Sequence, residues 1–317
     1  MPSDLPESIG PYRVRELLGK AGQSAVYKAT DPRGRSVAVK LFSPRLSEDA
    51  AALERFHREI AAIAPISRHP HLVQVLETGV DGERPYLAME LVEGTSLDRV
   101  LKQRRLSLAE AFTVMRGLCR GLAHAHQHGL VHRSLTPRNV LVSPDFATVK
   151  VADLGVTSFE TVVRSLTATL GTGEIRLGAL YYLAPETVDG SASVDARADL
   201  YSAGVIFHEM LTGRPPGIKF GLPSQLNPEL SPEIDGVVLK CLARRPGERY
   251  ASAGELLAAL ERLEETLRLR AFSEIREAGS RLRVGTQAAG GGNKAFLYIG
   301  LALLVIVLAV VGYWLAR

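Results

Sequence analysis

Apolar and polar positions alternate along the first ninety residues with a period of two, then switch to a helical period. Tyr12 to Leu18 and Ala25 to Thr30 read as two strands joined by the short stretch Gly19-Lys20-Ala21-Gly22-Gln23-Ser24, and Val37-Ala38-Val39-Lys40 reads as a third. Arg55 to Ala64 has a helical pattern, and Leu72 to Thr78 and Tyr86 to Leu91 return to strand. A long helix is expected from Leu106 to His128, short strands at Val140-Leu141-Val142 and Val149 to Ala152, and a strongly apolar helix from Asp199 to Leu211. Glu255 to Ile275 reads as a charged helix with Leu256, Leu260, Leu263 and Leu267 at helical spacing, its first half packed on the preceding residues. A short self-associating stripe is the alternative.

The end of the chain departs from this pattern. Residues from Ala295 to Ala316 carry no charge. At the rise of an α-helix they reach about 30 Å, the thickness of a bilayer's hydrocarbon layer. Tyr298, Tyr313 and Trp314 lie near the two ends, where aromatic rings favour the interface, while Arg281, Arg283 and Lys294 precede the run and Arg317 follows it. The expectation is a single-pass C-terminal anchor with the large N-terminal part in the cytoplasm. Val284 to Asn293, with Gly290-Gly291-Gly292, reads as a flexible tether of about 17 to 19 Å root-mean-square span. That length would bring Arg268, Arg270, Arg276, Arg281 and Arg283 near anionic headgroups.

With 317 residues, 46% of them hydrophobic, the chain is large enough for a two-lobed unit with a sizeable core. Its net charge of +4 is spread among interleaved acids, so no nucleic-acid partner is expected. The N-terminus lacks the basic and apolar regions of a signal peptide. Cys119 and Cys241 lie in apolar segments without metal-ligand spacing and read as core thiols. In His124-Ala125-His126-Gln127-His128, alternate side chains on a helix point about 200° apart, so these histidines are not expected to converge on a metal.

The candidate chemistry lies in His132-Arg133-Ser134-Leu135-Thr136-Pro137-Arg138-Asn139, between the long helix and a short strand. This stretch resembles the catalytic loop of eukaryotic-like (Hanks-type) Ser/Thr protein kinases, His-Arg-Asp-Leu-Lys-Pro-x-Asn, with two letters changed. The family's proton-accepting Asp is Ser134 and its Lys is Thr136. Further motifs follow in the family's order: Gly19, Ala21 and Ser24 at the glycine positions of the phosphate-covering loop, followed by Val26; Val37 to Lys40; Glu59; Asp153-Leu154-Gly155; Ala184-Pro185-Glu186; Asp199; and Arg249. Taken alone, the glycine turn is equally an ordinary hairpin, and Lys40 and Glu59 are ordinary surface charges.

The resemblance spans Tyr12 to about Leu263 and implies an α+β, bilobal protein-kinase fold. A tail at 1–11 would precede a kinase-like domain at 12–265, with a small lobe at 12–91 and a large lobe at 95–265. A juxtamembrane helix and linker at 266–294 and a transmembrane helix at 295–316 would follow. It implies ATP and Mg²⁺ as cofactors. Leu18, Gly19, Val26, Ala38, Lys40, Glu59, Glu90, Val92, Leu141 and Asp153 would bind the nucleotide, with Lys40 paired to Glu59 and main-chain groups near Glu90 and Val92 at the adenine edge. Asn139 and Asp153 would hold the metal. Asp199 would anchor the catalytic loop, and Arg249 would pair with Glu186. The hydroxyl-rich stretch from Val156 to Leu183 would be an activation segment, open to an upstream kinase with Arg133 available to the phosphate, or simply a mobile loop. Ala179 replaces a family threonine that touches the catalytic Asp and Lys, so the changes at 134, 136 and 179 fall on mutually contacting positions. Between Pro216 and Pro223 too few residues remain for the family's docking helix.

Three functions follow from this reading. The first is a membrane-anchored pseudokinase that binds Mg-ATP and serves as a signalling scaffold or regulator for an unidentified protein partner. The second is a weakly active Ser/Thr kinase, and the third is a scaffold recognised through a phosphorylated activation segment.

Overall fold

A computed structural model describes residues 5–21, 24–155, 180–188, 194–217 and 220–288. The small lobe is a six-stranded antiparallel sheet of order β1-β2-β3-β4-β6-β5, formed by Ser8–Ile9, Tyr12–Ala21, Ser24–Thr30, Ser36–Leu41, Arg84–Glu90 and Val75–Asp81 in that spatial order. Strict alternation in β3 buries Ala25, Tyr27 and Ala29 on one face, where they meet Ile9, Tyr12, Val39 and Tyr86. The other face carries α1 (Ala50–Ile66), whose Phe56, Ile60 and Ile63 recur at helical spacing and are buried. The helix starts five residues before the apolar periodicity does, because Asp49 caps it by accepting hydrogen bonds from the Ala51 and Ala52 amides.

Two strand ends also differ from the sequence pattern. β2 and β3 continue to the pair Ala21↔Ser24, so Gly19 and Lys20 remain in the ladder, since main-chain pairing does not need apolar side chains. β5 begins at Val75 rather than Leu72, because the chain turns through a Leu72 N to His69 O bond and Leu72 forms a parallel bridge with Val151.

The large lobe opens with β7 (Thr95–Ser96), which pairs with β8 (Val140–Val142) and through it with β9 (Val149–Val151). The sequence pattern did not mark α2 (Leu97–Gln103), which follows directly. The long α3 (Leu108–Gln127) begins with a capping box between Ser107 and Glu110 and buries Val114, Met115, Leu118 and Leu122. Arg104 chelates the same glutamate and, with the box, holds its carboxyl down to about 2. After α4 (Pro185–Val188) comes α5 (Arg197–Thr212), buried along almost its whole length and ended by Gly213 in the left-handed conformation at φ 78°. Short α6 (Pro223–Leu226) and α7 (Glu233–Cys241) follow. In α8 (Ala253–Ala288), Leu256 and Leu260 are fully buried, as expected for its first half.

The last helix runs past Ile275, so the first residues of the expected tether, 284–288, are helical. Its extension contains no proline, and Gly279 and Gly285 each cost only about 1 kcal/mol against neighbours that favour helix. Among the described residues no helix is long and apolar enough to cross a membrane, and the run 295–316 lies outside them.

Glu186 in α4 and Arg249 join the start of the large lobe's second half to its end. The guanidinium, fully buried, gives Nη1 and Nη2 to the two carboxylate oxygens at 2.6 and 2.7 Å and fills its other positions with the Ala243, Arg197 and Arg244 carbonyls. Removing one partner strands a buried charge. Arg249→Ala is therefore expected to cost about 3–5 kcal/mol and lower Tm by more than about 6 °C in thermal unfolding. A drop under about 2 °C would show the pair to be dispensable.

Candidate active site

The loop His132–Asn139 is fixed from below by one carboxylate. Asp199 stands in the first turn of α5 with no solvent exposure. Its Oδ2 accepts from the His132 amide at 2.8 Å and from His126 Nε2 at 2.7 Å, and its Oδ1 accepts from the Arg133 amide at 2.8 Å. Two successive amides aimed at one group force the backbone into an unusual shape, and Arg133 adopts a left-handed φ of 65°. The buried His132 ring bonds the Ala152 carbonyl at 3.0 Å, tying the loop to the end of β9. Leu135 is buried, while Arg133 is exposed and Ser134 half-buried. At the position of the family's proton acceptor there is thus a hydroxyl, 3.5 Å from His132 Nδ1. A serine hydroxyl carries no charge at neutral pH and is a far weaker proton acceptor than a carboxylate.

Beyond the loop, Asp153 also has a left-handed φ, 60°. Gly155 follows at φ 66°, where a side chain would be strained and a Cβ would lie 2.6 Å from Ile63 Cδ1 of α1. Leu154, between them, is buried as an apolar plug. This turn delivers the Asp153 carboxylate to Lys40 Nζ at 2.7 Å and to Asn139 Nδ2 at 3.2 Å. Burial acts to raise the Asp153 carboxyl, but the Lys40 ammonium and the Asn139 amide outweigh it and hold it below the ordinary carboxylate value. The side-chain oxygen of Asn139 is turned the other way, accepting from the Thr136 hydroxyl at 2.9 Å and the Thr136 amide at 3.2 Å.

The structure corrects one expected pairing. Lys40 forms no ion pair with Glu59 among the described residues. Phe56, Ile60 and Ile63 take the inward stripe of α1 and leave Glu59 exposed beside it, so the ammonium turns to the Asp153 carboxylate.

Beside these charges lies an apolar cluster. Cross-strand pairs Gly19↔Val26 and Val26↔Lys40 align β2, β3 and β4. Leu18, Val26, Ala38, Val92 and Leu141 then pack into one cluster with Met89 and Leu91. The Glu90 amide donates to Gln74 O at 2.9 Å. Its carboxylate accepts from the Gln74 amide at 2.8 Å and from Lys150 Nζ at 2.6 Å. The sequence reading missed Lys150, although its middle position in Val-Lys-Val, with buried neighbours on both sides, marks a side chain pointing away from that core. It also missed Arg99 of α2, whose Nη2 reaches across to Leu18 O at 2.8 Å, and nothing in the local pattern signals this. Ala179 and the hydroxyls from Ser158 to Thr172 lie outside the described residues. The imidazoles of His124 and His128 stand 4.6 Å apart, and His124 stacks on His69 at 4.4 Å with its Nε2 bonded to Ile66 O.

A two-lobed body with a lysine, an asparagine and an aspartate converging beside an apolar cluster defines the class. Residues 12–259 match the family described as the protein kinase domain, and the chain belongs to that family. Among its relatives, Serine/threonine-protein kinase PknB of Mycolicibacterium smegmatis is 36% identical over 275 residues, 80% of this chain and 43% of the relative. The probable serine/threonine-protein kinase SCO3848 of Streptomyces coelicolor is 35% identical over 302 residues, 89% and 43%. Serine/threonine-protein kinase PknL of Mycobacterium tuberculosis is 39% identical over 280 residues, 82% and 67%. The chain thus spans less than half the length of the first two. A crystal structure of the Mycobacterium tuberculosis PknI kinase domain superposes with a TM-score of 0.65 at 27% identity, over 80% of this chain and 96% of that one.

Because the Asp153 carboxyl is held low in the folded state, its contribution to stability is full above the unfolded value near pH 4 and is lost as pH falls through the folded value. Lys40→Met should therefore cost about 1–3 kcal/mol at pH 7, with the gap to the unaltered protein closing below about pH 4. Denaturant unfolding at stepped pH measures this, and a gap that does not change with pH would remove Lys40 as the cause.

Proposed function

We propose that this chain is a membrane-anchored, protein-kinase-like signalling protein that binds Mg-ATP in the cleft between β2–β4 and Asp153 but has lost the proton acceptor for phosphoryl transfer. The observation that carries this reading is the Asp199-anchored loop with a hydroxyl, Ser134, in place of the acceptor carboxylate. Losing a positioned base costs roughly 10²–10⁴ in rate. The nucleotide side supports binding: Lys40 suits phosphate oxygens, and the apolar cluster of Leu18, Val26, Ala38 and Leu141 suits the faces of an adenine ring. Asp153 offers carboxylate oxygens, hard ligands of the kind Mg²⁺ takes, which fits the donor chemistry of that ion, while the carboxamide oxygen of Asn139 is held by Thr136. When bound, Mg²⁺ would neutralise charge on the phosphates, while Lys40 would have to release Asp153 to share it.

The run 295–316 supports a single C-terminal span with the kinase-like domain on the cytoplasmic side, and the arginines of α8 support contact with anionic lipid. A signalling partner or upstream kinase would read the segment from Ser158 to Thr172, with exposed Arg133 available to pair with a phosphate added there.

The convergence of Lys40, Asn139 and Asp153 favours a second reading, a weakly active Ser/Thr kinase, the activity named for PknB and PknL. Phosphoryl transfer depends mainly on positioning and charge stabilisation, so residual turnover can outlive the base. Millimolar Mg-ATP at 100 times its dissociation constant should stabilise the domain by about 2.7 kcal/mol, read as a rise in Tm. No rise would sink the nucleotide reading. With labelled ATP, the first reading expects no incorporation, whereas incorporation that disappears in Asp153→Asn would favour the second.

A further inference from the structure

Thr136 does more than remove a lysine from the loop. It is the N-cap of the 3-10 turn Pro137–Asn139, and its hydroxyl accepts from the Arg138 amide at 3.3 Å while donating to Asn139 Oδ1 at 2.9 Å. The Thr136 amide donates to the same oxygen at 3.2 Å. A carboxamide oxygen has two lone pairs, and Thr136 takes both. What Asn139 presents to Asp153 is its amide nitrogen, which donates to Oδ2 at 3.2 Å. A metal needs the oxygen. Turning the carboxamide over would break the Asp153 bond and bring a donor against the Thr136 amide, a donor-to-donor contact. Lysine at 136 would keep the backbone donation but lose the short hydroxyl donor, its ammonium standing at the end of a flexible four-carbon stem.

We propose that Thr136 is a positioning residue that locks the Asn139 carboxamide with its oxygen away from the cleft, so that a divalent cation bound there rests on Asp153 without Asn139. The inference deepens the Mg-ATP reading and rests on it for its biological sense, but the lock can be read without nucleotide. It replaces the paired ligand set implied by the family with a single protein ligand, and the bound nucleotide's phosphates supply the rest. Divalent cation then contributes less to nucleotide affinity than an Asp–Asn pair would allow.

The test is Mn²⁺ binding to the full chain in mild detergent, followed by the electron paramagnetic resonance of the free ion, without nucleotide and again with ADP. Thr136→Val keeps the shape and removes the hydroxyl. It is expected to tighten Mn²⁺ by roughly 2- to 10-fold, the worth of one hydrogen bond, and the gain should vanish when Asn139→Ala is added. Thr136→Ser keeps the hydroxyl and should behave as the unaltered protein. Asn139→Ala alone should change Mn²⁺ affinity by less than about threefold. Unchanged affinity in Thr136→Val, with or without ADP, overturns the lock, as does a larger loss in Asn139→Ala alone. If ADP fails to bind while the nucleotide-free series behaves as expected, the lock stands and the nucleotide reading falls.

Discussion

The Asp199 carboxylate, buried at the start of α5, holds the main chain of the loop that carries Ser134, Thr136 and Asn139. Its bonds to the His132 and Arg133 amides fix where those three side chains can go, and the His132 ring extends the constraint to β9 and so to Asp153. A buried, multiply bonded carboxylate of this kind is stiff, because loss of any partner would leave a charge uncompensated in low dielectric. The loop's geometry therefore survives the exchange of its functional side chains. Replacing an acid by Ser134 changes the chemistry of the site and leaves its scaffold standing.

The charges in the cleft balance within the chain itself. Asp153 takes Lys40 on one oxygen and the Asn139 amide on the other, while Asn139 closes its own oxygen on Thr136. Each polar group is satisfied by a neighbour, so a nucleotide or cation entering the cleft competes with hydrogen bonds already made. The exposed position of Glu59 belongs to the same arrangement, since Lys40 pairs with Asp153. At the end of β6, Lys150 and Gln74 hold Glu90 in the same self-contained way.

Much of this was legible in the residues. The apolar spacing in β3, α1 and α5 announced the two lobes, and the ordered motifs marked Lys40, Asn139, Asp153, Asp199, Glu186 and Arg249. Periodicity was silent where main-chain pairing or a cap decided the outcome, as at Asp49 and at the Ala21↔Ser24 end of the glycine hairpin. Helix propensity, rather than apolar pattern, carries α8 to Ala288. The partner of Lys40 was not legible because Glu59 and Asp153 are both chemically suited to it. Which one is within reach depends on the rotation and depth of α1, a property of packing that no local motif encodes. Arg99 and Lys150 were missed for the same reason, as their partners are distant in sequence.

A negative charge is missing at position 134, in a loop whose main chain Asp199 holds in place. The most direct test installs it: Ser134→Asp together with Thr136→Lys in the full chain, followed by single-turnover transfer from labelled ATP. The account predicts that the double substitution raises transfer by roughly 10²–10⁴ over the unaltered protein. Brisk transfer by the unaltered protein, with no gain on restoring the carboxylate and the lysine, would contradict it.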